Sequence, residues 1–269
     1  MKHQAMQNRI ENAVYSAIED IADEFDIEVS EYPEVNWLSG RRGELNDLGI
    51  SEHDQKFLKF LKKMKSSCTF GRKPRIFIVC DNYLDVAEEA AHYVHFTASK
   101  VSSTGLNSNQ EYSLRIISEA LAFLGTKTIV PERKNKFSKY PDMFYMNVEE
   151  KKKTLKEIKE NEKPERAAEY FVYQQGYGLG ERMFYDSLSG KTKKEELRML
   201  LTAKLGRELD PNIVMAHLKF RYWPPVNQTS EERIISPARI SSEPPERLQR
   251  ILPKDNSTVA DLTCLHSMV

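Results

Sequence analysis

Between residues 4 and 25 the apolar side chains Met6, Ile10, Ala13, Val14, Ala17, Ile18, Ile21 and Phe25 recur at steps of three and four. Glu11, Glu19, Asp20, Asp23 and Glu24 occupy positions between them. That period puts one apolar stripe on a helix and predicts an amphipathic helix over 4–25. The same spacing predicts a helix over 52–65, with Phe57, Phe60, Leu61 and Met64 inward. Ser51 and Asp54 resemble a cap at its start, and Lys62, Lys63 and Lys65 suit the negative end of its dipole. Further helices are expected over 83–99, 111–124 and 192–208. In 111–124 the stripe Leu114, Ile117, Leu121 and Leu124 is widened by Ile116, Ala120 and Phe123, which marks a central helix. Residues 148–163 keep only Val148, Leu155 and Ile158 as a thin stripe and read as a solvated helix.

Arg75-Ile-Phe-Ile-Val-Cys80 is a short continuous apolar run between Gly71–Pro74 and Asp81-Asn82, the pattern of a buried strand. Gly125 reads as a helix stop, followed by a second strand over 126–130 that ends at Pro131. Val214, Ala216, Leu218, Phe220 and Tyr222 alternate with Met215, His217, Lys219, Arg221 and Trp223. Period two predicts a strand over 214–222 with one basic face. Ile27–Val29 reads as a short strand, and residues 30–52 as loop. The expected fold class is α+β, predominantly helical, with small strand content near 75–80, 126–130 and 214–222 and an extended C-terminal arm. The expected division is an N-terminal helical region (1–70), a mixed α/β-then-helical body (71–223) and a Pro-punctuated arm or tail (224–269).

Composition narrows the function classes. Among 269 residues, 40 Lys and Arg balance 40 Asp and Glu. Zero net charge argues against a general polyanion binder and leaves nucleic acid to local patches. The three cysteines, Cys68, Cys80 and Cys264, are widely spaced. They form neither a disulfide framework nor a zinc-finger pattern, so reduced thiols are expected. Acids run through the first 25 residues, no secretory signal is expected, and no apolar stretch is long enough to span a membrane. A cytoplasmic protein without a cofactor is the resulting expectation.

Four residue sets carry candidate chemistry. Gly176-Tyr-Gly178-Leu-Gly180 precedes an expected helix, as a phosphate-binding turn does. Glu181 stands where the dinucleotide fingerprint needs glycine, so a joint between two helices is the plainer reading. Glu89, His92 and His95 step by three along one helix and could reach a metal, with a Glu-x-x-His pair as half of a carboxylate-bridged site. Asp142 with Glu149 and Lys151 supplies the acid, acid and Glu-x-Lys lysine of a metal-dependent nuclease. Lys219, Arg221 and Trp223, joined by Arg41 and Arg42, interleave basic and aromatic groups as a surface for single-stranded nucleic acid does.

The leading expectation from sequence is a non-enzymatic interaction or assembly protein. It self-associates into a homo-oligomer through its C-terminal arm and binds single-stranded RNA or DNA as a structural protein, away from membranes. The alternatives are a metal-dependent phosphodiesterase or nuclease using Asp142 and Glu149, and a nucleotide-binding α/β module built on Arg75–Cys80.

Overall fold

The apolar stripe of the first helix, α1 (Lys2–Phe25), is buried from Ile10 through Ala13, Val14, Ala17, Ile18 and Ile21 to Phe25. These positions belong to an apolar cluster that extends to Leu218 and Tyr222. The fold is that of a computed structural model, which describes residues 2–39, 45, 48–64, 67–70, 75–79, 82–135, 146–161 and 167–222. Among them helices dominate, accompanied by one three-stranded sheet.

The central strand, β3 (Arg75–Ile78), buries Ile76, Phe77 and Ile78, as the unbroken apolar run predicts. It pairs in parallel with β1 (Glu34–Trp37), Val35 opposite Ile76, and antiparallel with β2 (Cys68–Phe70), Cys68 opposite Phe77. β1 lies inside the segment expected to be loop, whereas Ile27–Val29, expected to be strand, is not one. Strand character at 34–37 is imposed by neighbours. On one side stands β3. On the other, the Gln7 side chain of α1 donates to the Val35 carbonyl at 2.7 Å and accepts from the Trp37 amide at 2.8 Å. A side-chain amide thus satisfies the backbone that a further strand would otherwise pair.

Between β1 and β2 runs α2 (Glu52–Met64), whose Ser51 Oγ accepts from the Asp54 amide at 3.1 Å, the anticipated cap. After β3, Asn82 caps α3 (Tyr83–Ser99) by accepting from the Leu84 and Asp85 amides. Asn107 opens α4 (Ser108–Ile129) with a capping box completed by Gln110. α3 packs between α1 and α4. Its three inner alanines, Ala87, Ala90 and Ala91, are fully buried.

Three sequence expectations are corrected. Residues 126–129 are not strand but the last turn of α4. Gly125 does not stop that helix. A Cβ there would stand 3.0 Å from the Cβ of Ala91, so this glycine marks where α4 crosses α3. The β-branched residues beyond it stay helical with Thr126 and Ile129 buried in the interior, the Thr126 and Thr128 hydroxyls donating back to the Ala122 and Gly125 carbonyls at 2.8 and 2.7 Å. Residues 214–222 are likewise helical, in α8 (Pro211–Tyr222). The residues buried there, Pro211, Met215, Leu218 and Tyr222, follow the helical period. Asp210 accepting from the Asn212 amide, with Pro211 at the first position, is a helix start that outranks the alternation.

The third correction concerns the glycines. α5 (Val148–Asn161) precedes a single helix, α6 (Ala167–Leu188), that runs straight through Gly176, Gly178 and Gly180. Gly176 and Gly180 lie one turn apart and face α4. A Cβ on Gly176 would collide with the Cβ of Glu119, and one on Gly180 with the Ala120 carbonyl oxygen. They let two helix backbones touch, and no phosphate turn exists there. α7 (Lys194–Thr202) is shorter than the 192–208 expected. Beyond it, Leu205 and Leu209 form an isolated bridge. The C-terminal arm, 224–269, lies outside the described residues. No helix among the described residues is long and apolar enough to cross a membrane.

Helix propensity alone makes Gly→Ala inside a helix stabilising by roughly 0.5–1 kcal/mol. At Gly176 and Gly180 the opposite sign is expected, a loss of about 1–3 kcal/mol from overpacking against α4. Urea denaturation of Gly176→Ala and Gly180→Ala, followed by circular dichroism, checks this.

Candidate metal centre

α3 turns its polar residues inward. Glu88, Glu89, His92 and His95 are all buried, and they meet side chains from β2, α4, α6 and the turn after α4. A helix advances about 100° per residue, so Glu88 and His92 lie only about 40° apart and project from one side. Glu119, set among buried apolar neighbours in the middle of α4, comes from across the helix pair. One ligand atom from each of Glu88, His92 and Glu119 lies within 4.8 Å of the other two. Their exposures are 2 %, 2 % and 1 %, so the set is closed in by protein.

Each member has defined surroundings. The Glu88 carboxylate takes a hydrogen bond from Tyr177 Oη of α6 on Oε1 and one from Arg133 Nη2 on Oε2, the latter at 2.7 Å. Arg133 is itself held by its backbone. Its amide donates to the Val130 carbonyl at 2.9 Å, and its carbonyl accepts from Lys127 Nζ at 2.9 Å. Burial lowers the Lys127 pKa, while its ammonium lies over the rings of Phe184 and Tyr185. His92 Nε2 stands 3.6 Å from Glu119 Oε2, and neither ring nitrogen of His92 has a hydrogen-bond partner. A buried imidazole without a hydrogen-bond partner is uncommon, because desolvating it without compensation is costly.

Glu89 turns the other way, toward the sheet, and accepts from Thr69 Oγ1 of β2 at 2.6 Å. Burial pushes its pKa well above the ordinary carboxylate value. The Thr69 hydrogen bond opposes that shift, and the nearby carboxylates of Glu88, Asp85 and Glu119 add to it. One turn back, Asp85 accepts from Ser67 Oγ at 3.1 Å. His95 is fully buried and also lacks a hydrogen-bond partner on either nitrogen. Burial, assisted by His92, lowers its pKa to about 3, which keeps the ring neutral at ordinary pH.

The expected triad of Glu89, His92 and His95 is therefore regrouped. Steps of three drift around the helix, and Glu89 and His95 end up roughly 120° apart. His92 stays in the set, Glu88 replaces Glu89, and Glu119 replaces His95. Glu119, Arg133 and Tyr177 escaped the sequence reading. A signal for Glu119 was present, since a carboxylate among Ile116, Ile117, Ala120, Leu121 and Phe123 needs a buried partner. Arg133 and Tyr177 carried none, because only the packing of α6 and of the turn after α4 brings them to Glu88.

The other candidate sets are not assembled among the described residues. Glu149 and Lys151 lie in the first turns of α5, with Glu149 paired to Lys152 at 2.9 Å. Lys219 and Arg221, two residues apart on α8, point to roughly opposite sides rather than along one strand face. Arg221 contacts Glu196 at 2.5 Å and the Lys191 carbonyl at 3.3 Å. Asp142, Arg41, Arg42 and Trp223 lie outside the described residues. No protein-family model, curated protein or solved structure matches the chain.

The His95 pKa fixes a pH dependence. The unfolded imidazole takes up a proton near pH 6.5 and the folded one only near 3. The unfolded state thus binds more protons in that window, and stability falls as pH drops from about 6.5 toward about 3. Denaturant midpoints over this range are expected to fall less steeply in His95→Leu than in the wild type.

Proposed function

We propose that this protein binds a divalent cation in its interior, held by Glu88, His92 and Glu119. The observation that carries the reading is the convergence of three ligand atoms within 4.8 Å, from two helices, around an imidazole with no hydrogen-bond partner. Three protein ligands leave one position of a four-coordinate ion for a small ligand such as water. Two carboxylates and one imidazole suit Zn²⁺ or Mn²⁺. Glu89, beside Glu88 on the same helix, faces Thr69 of β2 and takes no part in the ligand set. The reading keeps the divalent cation of the nuclease alternative but places it in the buried centre and not at Asp142 and Glu149.

Calorimetry of metal-stripped protein with Zn²⁺ and with Mn²⁺ is expected to give one site per chain. His92→Ala and Glu119→Gln should each weaken it by more than about tenfold. Glu89→Gln, which alters a side chain facing Thr69 and not the ion, should bind the metal within about threefold of the wild type. Absence of metal binding by the wild type overturns the reading.

A second reading, self-association, is favoured by α8. Ile213 and Phe220, seven residues apart on one face, are 70 % and 78 % exposed. Large apolar groups displayed together suit a partner surface, and a second copy of the chain is the simplest one. Light scattering of Ile213→Ser/Phe220→Ser is expected to show a lower mass than the wild type. An equal mass removes this reading.

A further inference from the structure

Glu88 has two oxygens, and both are engaged, one by Tyr177 Oη and the other by the Arg133 guanidinium at 2.7 Å. This is the same carboxylate that lies within ligand distance of His92 and Glu119. A divalent cation seated among those three ligands would stand only a few ångströms from the Arg133 charge. In a buried setting, where screening is weak, two cations at that separation repel strongly. Each of them, however, supplies what Glu88 requires, a positive partner inside the protein.

We infer that Arg133 is an internal counter-ion that occupies Glu88 in the metal-free protein and is exchanged for the metal on loading. This inference rests on the metal centre proposed above. It follows from how Arg133 is built into the chain. Its amide bonds the Val130 carbonyl and its carbonyl bonds Lys127 Nζ, so the backbone is fixed at the end of α4. Only the long side chain has to move for the guanidinium to leave Glu88. Tyr177 remains as a neutral donor to Oε1 in both states and keeps the carboxylate oriented, as ligand-supporting groups do. The consequence is a centre that folds without metal. Small metal domains that lack an internal counter-ion behave differently, because their ligands repel one another until the ion arrives. Metal uptake here is reversible, and Arg133 sets its affinity.

The test measures Zn²⁺ affinity of the full chain as wild type, Arg133→Met and Arg133→Lys, with thermal unfolding of each metal-free form. Arg133→Met is expected to bind at least about tenfold more tightly and to unfold at lower temperature without metal. Arg133→Lys, which retains the charge, should bind within about threefold of the wild type. A wild type that binds while Arg133→Met binds equally or more weakly overturns the exchange but leaves the metal centre standing. If neither binds, the metal centre fails and the exchange with it. Should Arg133→Met not fold, ¹⁵N side-chain resonances of the wild type decide. The Arg133 Nε–H signal is expected to shift on Zn²⁺ addition, and an unchanged signal during confirmed binding overturns the inference.

Discussion

The contact between α4 and α6 at Gly176 and Gly180 governs the arrangement of the interior. With no side chains at these positions, the backbone of α6 rests on the Ile116–Ala120 turn of α4. That approach brings Tyr177 onto Glu88 and sets the neighbouring Leu179 and Met183 into the apolar cluster. Phe123 of α4 and Tyr177 lie with ring centroids 4.6 Å apart, so the same contact is packed from its apolar side as well. Widening it by one methyl group would act on the polar centre and the core together, since both use the α4–α6 seam.

Against this seam α3 places three carboxylates in the interior, Asp85, Glu88 and Glu89, and the facing α4 adds Glu119. Asp85, Glu88 and Glu89 accept hydrogen bonds, respectively from Ser67, from Arg133 with Tyr177, and from Thr69, while Glu119 stands 3.6 Å from His92 Nε2. Glu88 with Arg133 is the ion pair among them, and a buried ion pair is a weak source of net stability, because desolvation offsets most of the Coulomb gain. Their expense is easier to understand as the requirement of a site than as a device for holding helices together. The partners are also rigidly based. They come from helices, a strand and a turn fixed at both ends by hydrogen bonds, which is the setting in which ligand geometry is kept within tenths of an ångström.

The sheet serves the same centre from its other side. β2 contributes Thr69 to Glu89, while Ser67, just before β2, bonds both Asp85 and the Val79 amide. Three strands are too few to cover a core, and the sheet acts here as a lateral support for α3. The order β1-β3-β2 puts β2 at an edge of the described sheet, so the residues next to Glu89 belong to an edge strand.

The sequence by itself determined the existence of the helices α1, α2, α3 and α5 and of the buried strand at 75–78, although Val148, read as part of the apolar stripe of α5, is 67 % exposed. Their pattern is local, and burial of one face selects one period. It also determined that α3 carries an unusual density of Glu and His. What it did not determine was every feature that depends on a second element. Whether Gly125, Gly176 and Gly180 interrupt helices or join them is decided by what lies opposite, and only tertiary contact supplies Ala91, Glu119 and Ala120 there. The alternation at 214–222 fitted a strand until the burial of Met215, Leu218 and Tyr222 selected the helical face. The site follows the same division. His92 and its acidic neighbours were legible on one helix. The choice of Glu88 over Glu89, and the arrival of Glu119, Arg133 and Tyr177, were decided by tertiary structure, because ligand sets and ion pairs form between chain segments that sequence spacing does not relate.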